Sequence, residues 1–279
     1  MVRIAKTSSL AAALCLIGAT FSAQPAMSAV ARLPFSSSFE AGTFGEWNGG
    51  LDSSMTISST VASDGRYSTQ SVMTQGRSTD NYKEYVFGDN RRVGGEAATN
   101  GVWLTFDSRF DTGFHYADGA GVHKIAIINL EDVNDGRRRY QIILNVIPRN
   151  HEYFVDHLKW NADGSFGRTM PSVTQNIGTP ATVRYGQWDK IKLYVKPNTL
   201  GQANGIVRFW VNGVLKGDHT DIQLRENVSV LPNKLIMSNY VTESTAYGTQ
   251  RWDNWRLSET DPDAANVVRP NPPVLNSVQ

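Results

Sequence analysis

The chain has a single cysteine among 279 residues, Cys15, and it sits in an apolar stretch that reads as a removable leader. A mature chain without cysteine forms no disulfide and no thiolate metal site, so a large hydrophobic core must supply its stability. Beyond the leader no apolar run approaches the ~20 residues that a membrane-spanning helix needs. Sustained helical periodicity is also nearly absent, which excludes a helical fold. The five histidines are scattered, and His151 and His157 are too far apart on a strand to chelate one zinc ion. No Gly-x-Ser-x-Gly elbow is present for serine chemistry. Charge of one sign is missing too. Removing Arg3 and Lys6 with the leader turns 27 cations and 26 anions into a net charge near −1. A near-neutral protein excludes nucleic acid and an anionic membrane surface as partners.

What is present begins with that leader. Arg3 and Lys6 form a basic start, Leu10 to Ala23 an apolar run, and Ala29-Val30-Ala31 a small-x-small site. Residues 1–31 therefore read as a signal peptide cleaved after Ala29 or Ala31, which predicts a protein secreted to the periplasm or the medium. Residues 32–258 read as one domain, and 259–279, with Pro262, Pro270, Pro272 and Pro273, as a disordered tail.

Twenty-four glycines, seven tryptophans and ten tyrosines suit an all-β domain with many tight turns. Strands are predicted at 33–40, 53–59, 68–74, 82–87, 102–110, 122–130, 140–146, 152–160, 188–196, 206–214, 234–240 and 251–257. Their number and spacing predict two antiparallel sheets packed as a jelly-roll sandwich with a concave face. Residues 161–182, rich in Gly, Ser, Thr and Asn, read as a long loop.

The clearest local pattern runs from Trp188 to Gly213. Ile191, Leu193 and Val195 alternate with Lys190, Lys192, Tyr194 and Lys196, and Val207, Phe209 and Val211 with Ile206, Arg208 and Trp210. This predicts a hairpin with one buried face and one outward face of cations and aromatics. Lys192, Tyr194, Arg208 and Trp210 are thereby candidate ligands for sugar rings and carboxylates. At the two ends of the domain, Phe39-Glu40-Ala41-Gly42 and Trp252-Asp253-Asn254 resemble the opening and closing strands of carbohydrate-binding jelly rolls. If those strands are neighbours, Glu40 and Asp253 could share a structural Ca²⁺.

The run from Trp188 to Gly213, followed by Thr220 to Arg225 and by Trp252-Asp253-Asn254, resembles the concanavalin A-like lectin/glucanase superfamily. Within it, residues 100–257 are most similar to polysaccharide lyases that cut alginate or glucuronan. That resemblance implies β-elimination: one group neutralises the uronate carboxylate, one removes the C5 proton and one protonates the leaving oxygen. The family pattern of a Lys, a polar-x-Arg pair and a Tyr-x-Tyr pair on three strands falls on Lys124, on Arg139 and Gln141, and on His151 and Tyr153. Departures are His151 in place of Tyr, Asn212 in place of the hairpin Asp, and Met237-Ser238-Asn239-Tyr240 in place of Phe-Gly-Gly.

Alternation supports part of this transfer. Tyr140, Ile142, Leu144 and Val146 point one way, leaving Arg139, Gln141 and Asn145 outward; His151, Tyr153 and His157 share a face. The strand at 122–130 leaves open whether His123 or Lys124 faces the cleft. The expected chemistry places Arg139 and Gln141 at the carboxylate and Tyr153 as acid or base, assisted by Lys124 and His151. Asn145 and His157 join the substrate contacts. Glucanases of the same fold carry a Glu-x-Asp-x-x-Glu strand, which this chain lacks. Its nearest carboxylates, Glu152 and Asp156, would sit ~13 Å apart on a strand, beyond the ~5–9.5 Å used in glycoside hydrolysis. The rival readings are a lectin-like polysaccharide-binding protein without chemistry and a structural or adhesive surface component. The expected partner is an anionic polysaccharide held by a monomer, with no cofactor needed for the reaction.

Overall fold

The computed structural model describes residues 33–50, 55–74, 82–87, 101–168, 177–242 and 246–264. The leader and most of the proline-rich segment lie outside the described residues. Alternating apolar positions within them produce strands, and no α-helix forms among them. In chain order the strands are β1 (Phe35–Ser37), β2 (Met55–Ser58), β3 (Ser68–Met73), β4 (Tyr82–Val86), β5 (Val102–Phe110), β6 (His115–Tyr116), β7 (His123–Asp132) and β8 (Arg138–Ile147). They continue with β9 (Glu152–Trp160), β10 (Phe166–Arg168), β11 (Asp189–Lys196), β12 (Gly205–Val211), β13 (Val214–Ile222), β14 (Val230–Val241) and β15 (Ala246–Ser258).

Two antiparallel sheets result. One has nine strands in the order β13-β12-β11-β5-β15-β3-β2, with β1 and β6 also pairing on β15. The other has six, in the order β10-β9-β8-β7-β14-β4. This is the expected all-β sandwich. The terminal strands are indeed neighbours, Phe35 lying opposite Leu257. Three strands were not legible beforehand. Strand β10 falls inside the stretch that reads as a loop, and β6 is only two residues long. Strand β13 carries Gly217 and Asp218 and has poor strand propensity. It forms because Asn212 (φ 52°) and Gly213 (φ 79°) fold it back on β12 in a tight two-residue turn.

The core lies between the sheets. Leu104, Phe106, Ile142, Leu144, Leu193, Phe209 and Leu235 are among its buried members. Aromatic rings lock the layers together. Phe35 of the nine-stranded sheet stacks on Tyr85 of the six-stranded one with centroids 4.1 Å apart, and within the nine-stranded sheet Phe106 stacks on Trp255 at 4.1 Å. Truncating one of these rings to Ala would cost about 3–5 kcal/mol. A second, smaller apolar cluster, Ile127, Ile143, Leu158 and Ile236, lies on the opposite face of the six-stranded sheet. That open face carries the candidate site.

Candidate active site

Residues directly opposite in antiparallel strands share a face, so the register of the six-stranded sheet decides which side chains meet. On its open face Tyr240 of β14, Lys124 of β7 and Asn145 of β8 form one row. Glu84, Ile236, Ile127, Ile143 and Asp156 form the next. Lys234, Asn129, Gln141 and Leu158 follow, and then Glu131 opposite Arg138. Of these, Tyr240, Lys124, Glu84, Ile236, Ile127, Lys234, Asn129, Gln141, Glu131 and Arg138 line a groove of about 460 Å³, with Tyr82, Trp160 and Ser238 also in its lining.

A hydrogen-bonded chain holds the far half of this floor. Trp160 Nε1 donates to Gln141 Oε1 (3.0 Å), Gln141 Nε2 to Asn129 Oδ1 (2.9 Å) and Asn129 Nδ2 to Glu131 Oε1 (3.3 Å). Lys234 Nζ lies 3.0 Å from Glu131 and 3.7 Å from Glu84. The Arg138 guanidinium carbon sits 3.7 Å from the centroid of the Trp160 ring, a cation–π stack. Burial lowers the pKa of Arg138, opposed by the charge of Glu131. At the near end Lys124 Nζ lies 5.0 Å from the centroid of the Tyr240 ring.

The groove thus gathers Lys124 and Gln141 of the expected set. Lys124, not His123, faces it. His123 is fully buried, its Nδ1 3.0 Å from the Tyr116 hydroxyl, and burial lowers its pKa to about 3. Asn145 stands opposite Lys124 but is fully buried and donates to the Ile143 carbonyl.

Arg139 is held at the β7–β8 turn by Asp135 (2.7 Å) and Asp132 (3.4 Å), while Arg138 turns into the groove. The reason is a bulge: Leu130 pairs with Tyr140 but Glu131 pairs with Arg138, so strict alternation fails there.

The third expected set corrects more sharply. Tyr153 opposes Val146 and His157 opposes Ile142, so both point into the core with those inward residues. The Tyr153 hydroxyl donates to Asp189 Oδ2 (3.0 Å), and its side chain is fully buried. Burial, then the charge of Asp189, raises its pKa well above the usual phenol value. His157 is stacked on Tyr140 and buried, with a pKa lowered to about 4. His151 lies in the turn before β9 (φ 56°), bonded through Nδ1 to Tyr185 and lining a separate cavity with Tyr116 and Arg149.

The outward hairpin face belongs to the nine-stranded sheet, on the other side of the molecule from the groove. There Trp103 and Tyr194 stack at 4.2 Å, Lys192 lies over Trp103 and Trp210 at 5.3 and 4.7 Å, and Asp263 pairs with Lys192 at 2.5 Å. Arg208 pairs with Asp218 at 2.6 Å. The rings thus occupy one another's faces, and these two cations are neutralised within the chain. Lys192, Tyr194, Arg208 and Trp210 consequently do not meet the groove residues.

Glu40 and Asp253 grip two ends of one loop. Glu40 accepts from the amides of Arg66 and Tyr67, and Asp253 from those of Ser63 and Asn254. Burial raises the Asp253 pKa to about 6. A calcium ion needs carbonyl and carboxylate oxygens. Here both carboxylates accept from backbone N–H groups, and no group of three or more acidic, His or Cys ligands occurs among the described residues.

Tyr240, Arg138, Trp160 and Lys234 were missed from sequence. A signal existed for two of them: Lys234, Ile236, Ser238 and Tyr240 alternate on one face of their strand.

The fold is similar to the endo-β-1,4-glucuronan lyase of the fungus Trichoderma reesei (13% identity, 78% of this chain and 93% of that one, TM-score 0.55). It is also similar to an alginate lyase of Aplysia kurodai (11%, 82% and 97%, TM-score 0.52). A third such structure is the alginate lyase vAL-1 from Chlorella virus (15%, 77% and 94%, TM-score 0.51). At these identities the likeness concerns the fold alone. No curated protein matches the chain. The family model described as polysaccharide lyase matches residues 39–235. That span is more than half of the chain, and with the open groove on a jelly-roll sheet it establishes that the chain belongs to the polysaccharide lyases.

Proposed function

We propose that the open face of the six-stranded sheet cleaves a uronate-containing polysaccharide by β-elimination, with Lys124 and Tyr240 at the reacting sugar. The observation that carries this reading is the pairing of a cation and a phenol on one row of the groove, Lys124 Nζ 5.0 Å from the Tyr240 ring centroid. In the reaction the C5 proton leaves to a base, its electron pair forms the C4–C5 double bond, and the C4–O4 bond breaks. O4 then takes up a proton to give a new hydroxyl end and an unsaturated uronate. No co-reactant is consumed.

Lys124 carries the positive charge that stabilises the carboxylate as electron density moves onto it. Tyr240 supplies the hydroxyl for proton transfer at C5 and O4. Arg138, stacked on Trp160, and Gln141 hold the polymer further along. The similar folds of glucuronan and alginate lyases support an acidic polymer as substrate. The reading includes export, for which the leader pattern of residues 1–31 is the support.

The test is to follow the absorbance of the unsaturated product with alginate and glucuronan. Lys124→Ala and Tyr240→Phe should each lower kcat by about 10²–10⁴-fold while the melting temperature stays near that of the parent. Unchanged turnover in both variants would overturn the assignment.

A further inference from the structure

A second cavity, of about 710 Å³, opens where β7 begins and β8 ends. Gly121, which leads into β7, and Ile147, the last residue of β8, are both in its lining. Lys124 pairs with Asn145. Residues advance ~3.4 Å along a strand, so the cavity begins about 7–10 Å from that row. Ile147 is two positions past Asn145, on the same side of β8. The groove itself runs lengthwise along β7, with Lys124 at one end and Glu131 at the other. A polymer that passes over Lys124 along this axis therefore continues into the second cavity.

The turn after β8 supplies Arg149, Asn150 and His151 to the lining. Arg149 is exposed and forms no ion pair with another described residue. Its guanidinium presents a planar fork that matches a carboxylate through two hydrogen bonds. His151 is half-buried, and the Tyr185 hydroxyl at its Nδ1 fixes the ring. From β6, His115 is exposed and stacks on Tyr247 with centroids 4.7 Å apart, an aromatic pair against which a sugar ring can pack. Asp118 is the one carboxylate in the lining and already has an interaction within the chain. We propose that this cavity is a subsite for the same polymer, in which Arg149 binds the carboxylate of a uronate beyond the bond that is cut. Asn150 and His151 then meet the hydroxyls of that sugar. The assignment rests on the reading of the Lys124–Tyr240 row as the catalytic one and adds a charge requirement away from the reacting sugar.

The full chain and its Arg149→Ala variant are to be compared on long alginate and glucuronan and on short oligosaccharides of each. On the long polymers the variant is expected to show a KM about tenfold higher, with kcat within about twofold of the parent. The difference should disappear on the shortest oligosaccharides still cleaved, which do not reach the cavity. Arg149→Lys keeps the charge but loses the fork, and should recover only part of the affinity. An unchanged KM on the long polymers, or an equal loss at every chain length, overturns the proposal and leaves the catalytic row intact. If the parent releases no product from any polymer, the catalytic reading fails instead. Calorimetric titration with the same polymers then still decides the cavity: weaker binding by Arg149→Ala supports it, and equal binding overturns it.

Discussion

Tyr153 illustrates how far a one-residue facing decision reaches. Its hydroxyl is a core hydrogen bond to Asp189, a carboxylate also held by Arg184 Nε at 2.6 Å and by Asn212 Nδ2 at 2.9 Å. Removing the hydroxyl leaves Asp189 with its other donors. Tyr153→Phe is therefore expected to lower unfolding free energy by about 1 kcal/mol and to leave turnover on polyuronate within about twofold of the parent. Urea denaturation and steady-state kinetics on the same preparation check both. A loss of activity as large as that expected for Tyr240→Phe would return Tyr153 to the chemistry. The β8 facing was readable from its own alternation, since Tyr140, Ile142, Leu144 and Val146 are buried as expected. The β9 facing was not. Both faces of β9 are apolar or aromatic in places, so only its register against β8 fixed it.

At the level of the element, the β11–β12 hairpin was legible in full. Ile191 opposes Val211, Leu193 opposes Phe209 and Val195 opposes Val207, each buried on the core side. What the pattern could not say is which sheet the hairpin joins. It pairs with β5, in the nine-stranded sheet, and its cationic, aromatic face is satisfied by Trp103, Asp218 and Asp263. Trp210→Ala should thus cost stability, about 1 kcal/mol from lost cross-strand packing. It should leave KM for the polymer unchanged. A raised KM at an unchanged melting temperature would give this face a part in substrate binding.

For the whole molecule, the buried histidines dominate the response to acid. His123 and His157 have pKa values lowered by burial to about 3 and about 4, against 6.5 when exposed. Below pH 6.5 the unfolded chain binds protons that the folded chain refuses, so their contribution to stability is present above 6.5 and lost as pH falls toward 4 and 3. Asp253, raised by burial from 3.8 to about 6, acts in the opposite sense, relieving its cost as pH falls through that window. Two histidines outweigh one carboxylate. Melting temperature is expected to drop between pH 6.5 and 4. His157→Phe, which keeps a ring against Tyr140, should flatten that slope. An equally steep slope in the variant would assign the acid response elsewhere.

The sequence by itself determined the fold class, nearly all of the strand positions, the buried face of the hairpin and the inward face of β8. These follow from short-range rules: side chains alternate along a strand, and the apolar set must go inside. The tertiary structure decided which faces belong to the same side of the molecule. It took Lys124 and Gln141 to one groove with Tyr240, Arg138 and Trp160, and it sent Tyr153 to the core and Trp210 to the far sheet. Register, bulges and sheet order are set by contacts between residues distant in the chain, and a periodic pattern carries no record of its partner.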